Sequence, residues 1–269
     1  MTLSEQKKAL ACAVQAARAA GKLMRQNLFA VKKINVSSAH DIKLELDVRC
    51  QKLIETVLYR KFPRVALLGE EGVAGDPNSA ERWVVDPIDG TVNFTYGIPH
   101  ACVSIALQVQ NPGNPRQKTS ALDYETVVGV VYDPFCDELW TAIRGQPARL
   151  NGKIIRVSER KTLGEAIVSI GFAKSPANLK RTLPYFNKLV GRVRKVRMMG
   201  AAALALTYVA SGRFDAYIER GIRLWDIAAG GLIVESAGGE FWREPVAGED
   251  AYRLLASNGR LRKKLQSLG

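Results

Sequence analysis

The hexapeptide Asp-Pro-Ile-Asp-Gly-Thr, from Asp86 to Thr91, constrains the chain most because it follows a short apolar strand directly. Pro87 fixes its own φ and so shapes the turn in advance. Such a turn can direct the carboxylates of Asp86 and Asp89 at one point. Gly90 lets an anion such as phosphate approach the backbone closely. If a helix begins here, its free N–H groups face the same anion. The hexapeptide therefore predicts a site for cations and a phosphate.

Further carboxylates stand at other junctions between an apolar segment and a turn or helix. They are Asp47, Glu70, Glu71 and Asp226. A carboxylate beside apolar residues is costly unless it is paired or binds a cation. Oxygen ligands without histidine or cysteine favour a hard cation such as Mg²⁺ or Mn²⁺. Together with the phosphate site, these carboxylates indicate metal-assisted hydrolysis of a phosphate ester.

Histidine and cysteine are too scattered for several other kinds of site. The chain has two histidines, His40 and His100, and four cysteines without a Cys-x-x-Cys pair. This pattern excludes zinc fingers, iron–sulfur clusters and histidine-rich metal sites. We interpret both histidines as structural. Dispersed thiols suit a reducing compartment, so we expect a cytoplasmic protein. No Ser, Cys or His stands in a nucleophile motif, which indicates attack by water.

The chain is strongly basic. It has 39 Lys and Arg against 26 Asp and Glu, a net charge of +13. This balance favours anionic partners such as phosphorylated metabolites, nucleic acid or a membrane surface, and a solvated basic surface explains it equally well. The basic runs 192–195 and 260–264 lack interleaved aromatic residues, so we interpret them as solvated faces. No stretch approaches the roughly 18 apolar residues of a membrane span, and we expect no membrane partner.

Apolar periodicity predicts helices and short strands in alternation. Two N-terminal helices are predicted over residues 4–29 and 47–61, with Ser4 as the N-cap of the first. Further along, short strands are predicted, and the β-rich stretches 101–110 and 126–132 are predicted to be antiparallel neighbours. The Pro/Gly-rich run 111–118 is predicted to connect two of these strands as a surface loop.

After about residue 160 helices and strands alternate regularly, which predicts helices layered against sheets. A strand over 214–218 and a helix over 226–237 belong to this part of the chain. No internal repeat, low-complexity tract or linker is visible. We therefore expect one unit over residues 1–269, with sub-layers of roughly 1–160 and 161–269.

Three segments match a known family in the same order. Residues 83–94, Trp-Val-Val-Asp-Pro-Ile-Asp-Gly-Thr-Val-Asn-Phe, resemble the first signature of the inositol monophosphatase family. Gly69–Gly72 lies upstream at the family's spacing, and segments 221–231 and 235–239 resemble the second signature. The resemblance extends from about residue 9 to 259. It implies an αβαβα five-layer sandwich and a Mg²⁺-dependent, often lithium-sensitive phosphomonoesterase, and relatives are often dimers.

The resemblance also implies which residues bind metal. The implied ligands are Glu70, Asp86, the backbone carbonyl of Ile88, Asp89 and Asp226. The first ion would lie between Glu70, Asp86 and Ile88, and the second between Asp86, Asp89 and Asp226. Glu70 would also assist a weaker third ion through water. The implied cofactor is Mg²⁺, with Mn²⁺ as a substitute.

Catalytic and substrate contacts are implied in the same way. The catalytic set is Thr91, Asp47 and Glu70, in which Thr91, paired with Asp47, orients the attacking water. The amides of Gly90 and Thr91 would hold the phosphate, and Glu219 would accept hydrogen bonds from substrate hydroxyls. The implied substrate-binding residues are Asp89, Gly90, Thr91, Glu219 and Asp226.

Departures from the family pattern concern the substrate and leave the metal ligands intact. They are the run Lys43-Leu-Glu-Leu46, Tyr96 in place of a frequent histidine, and Ala201 in place of a frequent Ser or Thr. Inositol monophosphate or a similar polyol phosphate is the leading substrate. Fructose 1,6-bisphosphate, histidinol phosphate and a 3′-nucleotide are alternatives, although Val-Asn-Phe after Asp-Gly-Thr disfavours the nucleotide.

Two questions stay open. Arg220, Arg223 or Arg197 could bind a second phosphate if one of them turned inward, but we expect the two that flank Glu219 to face solvent. The other class of function is a non-catalytic association with RNA or the transcription machinery, which the basic charge would suit. The intact metal-ligand positions favour an enzyme.

Overall fold

A computed structural model of the chain describes residues 1–37, 42–76, 79–110, 124–172 and 176–268. The α-helices are α1 (Leu3–Asn27), α2 (Glu45–Tyr59), α3 (Thr91–Thr95), α4 (Pro176–Val190), α5 (Ala202–Ala210), α6 (Leu224–Ser236) and α7 (Arg262–Gln266). The strands of the first half are β1 (Ile34–Ser37), β2 (Ile42–Leu44), β3 (Ala66–Gly69), β4 (Gly72–Ala74), β5 (Glu81–Asp89), β6 (Cys102–Gln110), β7 (Tyr124–Asp133), β8 (Glu138–Ile143), β9 (Arg149–Leu150) and β10 (Lys153–Ile154). Those of the second half are β11 (Ile167–Ile170), β12 (Lys195–Arg197), β13 (Ala216–Ile222), β14 (Glu240–Pro245) and β15 (Tyr252–Ser257). The predicted loop 111–118 and His40 lie outside the described residues.

The apolar stretches of the first half pair into an eight-stranded sheet in the order β10-β9-β8-β7-β6-β5-β3-β4. The central strands β5, β6 and β7 are buried along most of their length, which explains their nearly continuous apolar sequences. Helices α1 and α2 cover one face of this sheet. Their small and apolar side chains, such as Ala13, Met24 and Ile54, pack with Trp83 and Ile105 of the strands.

A second, five-stranded sheet has the order β12-β11-β13-β15-β14. Helices α5 and α6 lie between the two sheets, where Leu206 and Ile233 share a core with Val84 of one sheet and Leu254 of the other. Helices α4 and α7 cover the outer face of the second sheet through Leu189 and Leu265. The order of layers is therefore helix, sheet, helix, sheet, helix, and the predicted αβαβα sandwich is confirmed.

The start of α1 differs from the prediction. The N-cap is Thr2, not Ser4, because Glu5 stands three residues after Thr2 and completes a reciprocal capping box. The amide of Glu5 donates to the Thr2 hydroxyl at 3.3 Å, and the amide of Thr2 donates to the Glu5 carboxylate at 2.7 Å. A carboxylate in the first turn also favours the positive end of the helix dipole.

Two acidic residues lie deeper in their elements than the sequence indicated. The strand predicted over 214–218 extends to Ile222, so that Glu219 is inside β13. The helix predicted over 226–237 begins at Leu224, so that Asp226 is in its first turn. Both shifts follow from long-range pairing and packing, which local periodicity does not encode.

The strands of the eight-stranded sheet all precede residue 155, and those of the five-stranded sheet all follow residue 166. This division agrees in position with the predicted sub-layers, whereas the assignment of the whole chain to one domain stays a prediction. Within the described ranges, none of the helices combines the length and the apolar character that crossing a bilayer requires.

Candidate functional site

A cavity of about 510 Å³ lies where the end of β5 meets α5, α6 and the inner face of the second sheet. Its lining includes five carboxylates, Glu70, Asp86, Asp89, Glu219 and Asp226. Among the described residues that line it there is no Lys, Arg or His. The structure thus brings together acidic residues that span more than 150 positions of sequence.

A β-bulge at the end of β5 positions the first two aspartates. Asp86 pairs with Ser104 and Asp89 pairs with Cys102, so that β5 uses one residue more than β6 over this step. Bulges bend a strand and redirect its side chains. The amide of Ile88 donates to Asp86 Oδ1 at 3.0 Å, which fixes that carboxylate. The predicted acidic turn is therefore an irregular end of a strand.

Asp226 enters the same cavity from the first turn of α6. The amide of Arg223 donates to Asp226 Oδ2 at 3.0 Å, so this carboxylate caps the helix N-terminus. The Ser104 hydroxyl donates to the carbonyl of Trp225 at 3.2 Å and connects α6 to β6. Asp226 also forms a hydrogen bond with Asp86. Carboxylates from distant segments therefore meet directly.

Burial and mutual repulsion raise the pKa values of three of these carboxylates. Burial raises the pKa of Asp86 well above its usual value, and the charges of Glu70, Asp89 and Asp226 raise it further. The pKa of Asp226 is raised for the same reasons. Burial raises the pKa of Asp89 to about 6, even though the amides of Ala202 and Ala203 stabilise its charge. A cation among the carboxylates would relieve this repulsion.

Gly90 and Thr91 form one wall of the cavity at the start of α3. Gly90 has a left-handed backbone with φ 93°, and a Cβ atom there would lie 2.9 Å from the carbonyl oxygen of His100. Only glycine fits this close approach. The Thr91 hydroxyl donates to the carbonyl of Ile88 at 2.9 Å. Asn93 holds the segment in place by donating to the carbonyls of His100 and Met199, at 2.9 and 2.8 Å.

Asp47 is not among the residues that line the cavity. Its side chain is 2% exposed, and its Oδ2 accepts a hydrogen bond from the amide of Leu44 at 2.7 Å. The helix predicted to begin at Asp47 begins two residues earlier, which places Asp47 in the first turn of α2. The pairing of Asp47 with Thr91 stays a prediction.

Glu70 is held by a residue that the sequence analysis missed. The buried Gln51 of α2 accepts a hydrogen bond from the amide of Glu71 at 3.0 Å and donates to the carbonyl of Gly72 at 3.2 Å. A Cβ atom on Gly69 would lie 2.2 Å from the Gln51 oxygen. Gln51 therefore shapes the turn that presents Glu70. The helical spacing of the apolar residues around Gln51 indicated that this face of α2 is buried. It did not indicate the contact of Gln51 with the turn.

Glu219 faces the cavity from β13 with two further residues that the sequence analysis missed. The Tyr217 hydroxyl donates a short hydrogen bond to Glu219 Oε2. Burial raises the pKa of Glu219 to about 7, although this bond lowers it. A Cβ atom on Gly171 would lie 1.7 Å from Glu219 Oε2. The alternation of side chains along a strand could have placed Tyr217 beside Glu219, whereas Gly171 carried no local signal.

The arginines considered for a second phosphate point elsewhere. Arg220 lies on the opposite face of β13 and donates to Asn178 at 3.1 Å. Arg223 pairs with Asp250 at 3.6 Å, and Arg197 is exposed and donates to a backbone carbonyl. None of the three lines the cavity. Arg223 is exposed, as expected, whereas the expectation that Arg220 faces solvent is wrong, because Arg220 is half-buried against the buried Asn178.

The donor set suits a hard divalent cation. Every candidate ligand, from Glu70, Asp86, Ile88, Asp89 or Asp226, is an oxygen atom, as Mg²⁺ and Mn²⁺ prefer. Across the described ranges, no three His, Cys, Asp or Glu side chains are grouped closely enough to form a metal cage in their present positions. The two aspartates Asp89 and Asp226 instead accept from backbone amides. The oxygen donors of the site therefore fit a hard divalent cation. The carboxylate side chains would turn toward the cation to bind it.

Known proteins share the sequence and fold of this chain. The model of the "Inositol monophosphatase family" matches residues 5–265. The Nus factor SuhB of Pseudomonas aeruginosa is 40% identical over 235 residues, which cover 84% of this chain and 82% of that protein. Inositol monophosphatase 2 of Solanum lycopersicum is 38% identical over 263 residues, 93% of each chain. The crystal structure of the extragenic suppressor protein suhB from Bartonella henselae has a TM-score of 0.84 at 33% identity and covers 96% of both chains.

Proposed function

The chain belongs to the inositol monophosphatase family, and from that premise we propose that it hydrolyses a small phosphate monoester with Mg²⁺. Inositol monophosphate or a similar polyol phosphate is the proposed substrate. The observation that carries the proposal is the cavity with five carboxylates and no cationic side chain among its described lining residues. A phosphate would be repelled from such a cavity unless divalent cations accompanied it.

Five residues would hold the cations, two or three per site, with Mn²⁺ as a possible substitute. They are Glu70, Asp86, the carbonyl of Ile88, Asp89 and Asp226. Bound cations would neutralise phosphate charge and make a water molecule more acidic. The raised pKa values of Asp86 and Asp226 support this role, because these groups gain most from a neighbouring positive charge.

The other residues would position the substrate and the water. The amides of Gly90 and Thr91 would donate to phosphate oxygens at the start of α3, where the backbone is close to the cavity. The Thr91 hydroxyl, with Asp47 and Glu70, would orient water for attack on phosphorus. The position of Gly90 and Thr91 in the cavity lining supports this assignment, since an anion in the cavity would be near their backbone.

Glu219 would recognise the non-phosphate end of the substrate. A carboxylate accepts hydrogen bonds from vicinal hydroxyls, which suits a polyol. The hydroxyl of Tyr217 orients Glu219, and the space above Gly171 accommodates it. No arginine among the described residues lines the cavity, so a monophosphate is favoured over fructose 1,6-bisphosphate. Histidinol phosphate remains the alternative monophosphate.

A panel of phosphate esters assayed with and without Mg²⁺ tests the proposal. Inositol 1-phosphate should show the highest kcat/KM, EDTA should abolish turnover, and Li⁺ should inhibit. Fructose 1,6-bisphosphate, histidinol phosphate and a 3′-nucleotide complete the panel. Absence of Mg²⁺-dependent release of phosphate from every ester would refute a phosphatase. A preference for the bisphosphate would refute the substrate assignment alone.

A second candidate function is association with RNA or RNA polymerase. It is favoured by the likeness to proteins named Nus factor SuhB and by the net charge of +13. Binding to RNA should weaken steeply as salt increases, because phosphate contacts release counterions. Fluorescence anisotropy with a labelled RNA between low and physiological salt checks this. Salt-independent binding, or none, would count against the candidate.

The remaining proposals concern assembly and location. We infer a homodimer, which the exposed apolar side chains Tyr96, Ile98 and Met198 support. Light scattering at micromolar concentration tests it.

A cytoplasmic location is supported by free thiols at each of the four cysteines, three of which are buried.

A further inference from the structure

A second cavity, of about 230 Å³, lies on the outer face of the five-stranded sheet. Strands β11, β13, β14 and β15 form its floor, and α4 and α7 flank it. Tyr217 and Glu219, which face the carboxylate cavity, belong to the opposite face of the same β13 strand. One sheet thus separates the two cavities, and Ile170 of β11 and Glu219 of β13 contribute to the lining of both.

The floor of the outer cavity is apolar. Ile170 of β11 pairs with Ile218, Ile218 pairs with Leu255, and Leu255 pairs with Trp242 of β14. Paired residues of adjacent strands share one face of a sheet. These four side chains therefore form a continuous row across four strands. Tyr185 of α4 closes the row from above, and its hydroxyl donates to the carbonyl of Leu265 at 3.1 Å.

Positive charge is concentrated beside this floor. Arg220 of β13 pairs directly with Arg253 of β15, and both line the cavity. Like charges directly opposite each other in a sheet are destabilising. Arg181 of α4 adds a third guanidinium to the lining. The repulsion between Arg220 and Arg253 costs stability, whereas an anion bound between the guanidiniums would relieve it.

The described acidic partners do not neutralise these three arginines. Arg253 is paired with Glu244 at 3.4 Å, in a half-exposed contact, and lies 5.4 Å from the Trp242 ring. Arg220 donates to the neutral amide oxygen of Asn178 at 3.1 Å. Arg181 is exposed and forms no ion pair with an acid in the described part of the chain. Within the described residues, Glu244 is thus the carboxylate paired with these guanidiniums; Glu219 also lines the cavity, but its carboxylate accepts from Tyr217.

We propose that the outer cavity binds a small organic anion, with an apolar, preferably aromatic body on the floor and a phosphate or carboxylate on the arginines. Guanidiniums bind such groups bidentately, and Trp242 and Tyr185 suit an aromatic ring. The volume is below the roughly 300 Å³ of the smallest drug-sized pockets, so the ligand is of metabolite size. The three arginines line this cavity and not the carboxylate cavity, whereas Ile170 and Glu219 line both.

Calorimetric titration with phenylphosphonate, which has no ester bond to hydrolyse, tests the proposal. The full chain is titrated in EDTA, so that no cations draw the probe to the carboxylate cavity. The double variant Arg181→Gln/Arg253→Gln should bind at least tenfold more weakly than wild type. The matched control Arg192→Gln/Arg260→Gln, which removes two exposed charges away from the cavity, should bind within twofold of wild type. Melting temperatures establish that each variant is folded.

Two further comparisons identify the binding surface. Trp242→Leu should weaken phenylphosphonate binding and leave methylphosphonate binding unchanged, because only the first ligand has a ring. If the double variant does not fold, the single variant Arg181→Gln on the exposed side of α4 replaces it. Three results would overturn the proposal: no saturable binding to wild type, equal binding by the arginine variants, or loss of binding in Asp226→Asn, which would place the probe among the carboxylates.

Discussion

The carboxylate of Asp89 accepts a hydrogen bond of 2.7 Å from the backbone amide of Ala203, which lies 114 residues further along the chain. Its other oxygen accepts from the amide of Ala202 at 3.0 Å. The N-cap of α5 is Ala201, whose side chain cannot accept hydrogen bonds. Asp89, at the end of strand β5 in the eight-stranded sheet, therefore supplies the cap of α5. A proposed metal ligand is also part of the framework that connects the two halves of the chain.

This double role predicts a difference between two substitutions of Asp89. Asn retains one acceptor for the α5 amides, whereas Ala retains none. We expect the free energy of unfolding of Asp89→Ala to be about 1 kcal/mol lower than that of Asp89→Asn. This is the usual effect of losing an N-cap. Urea denaturation in EDTA measures the difference, and both variants lack the same charge. Equal unfolding free energies would mean that α5 does not depend on this cap.

Asp226 is predicted to be needed for turnover but not for folding. Asp226→Asn keeps an oxygen for the amide of Arg223 and loses the charge that would attract a cation. We expect kcat to fall nearly to zero and the melting temperature in EDTA to be unchanged or higher, because repulsion with Asp86 is removed. Asp250→Asn, at a side chain that is 89% exposed, is the control. A kcat near that of wild type would contradict the two-ion proposal.

Thr91 is predicted to act on the rate through its hydroxyl. We expect Thr91→Ala to lower kcat by about 10²–10⁴-fold, the scale of a positioned proton transfer. Thr95→Ala removes a hydroxyl from the same helix, where it donates to the carbonyl of Thr91 at 2.8 Å, and should change kcat less than threefold. A single turnover of wild type in ¹⁸O-water should label the released phosphate directly. A phosphorylated side chain would contradict attack by water.

The site was predictable from sequence where its signals are local. The carboxylates Asp86 and Asp89 follow an apolar strand within one short motif, and the structure places both in the cavity. The cap of α5 by Asp89 was not predictable, because it depends on how two sheets pack. Gln51 and Gly171 were missed for the same reason, since each acts through a residue far along the chain.

The ends of helices and strands also show that local features could be predicted and that features set by long-range contacts could not. The layer order followed from alternating helices and strands, which local periodicity reveals. The first N-cap was predicted at Ser4, whereas Thr2 is the cap because Glu5 stands at the reciprocal position three residues after it. The strand at 214–218 was predicted too short because Glu219 and Arg220 are charged. Pairing with β15 keeps them in the strand in spite of their charge.

Glu219 should make stability depend on pH in the absence of metal. Burial raises its pKa to about 7 in the folded chain from 4.5, so the folded state binds the proton more tightly than the unfolded state. Stability from this proton is present below pH 4.5 and is lost as pH rises through 7, by up to about 3 kcal/mol. Urea denaturation in EDTA measures the free energy of unfolding at pH 5 and pH 8. Relative to wild type, Glu219→Gln should be more stable at pH 8 than at pH 5. Parallel pH profiles would contradict the assignment.

Gly171 should control substrate choice through Glu219. A methyl group at Gly171 would lie 1.7 Å from Glu219 Oε2, so Gly171→Ala must displace that carboxylate. Losing one charge-assisted hydrogen bond costs about 1.5–3 kcal/mol, and kcat/KM for inositol 1-phosphate should fall by about 10–150-fold. p-Nitrophenyl phosphate has no vicinal hydroxyls and should lose less than threefold. Gly164→Ala, with no atom within 4 Å of the added methyl, is the control. Equal losses on both esters would show that Gly171 supports the site generally and that Glu219 does not select polyols.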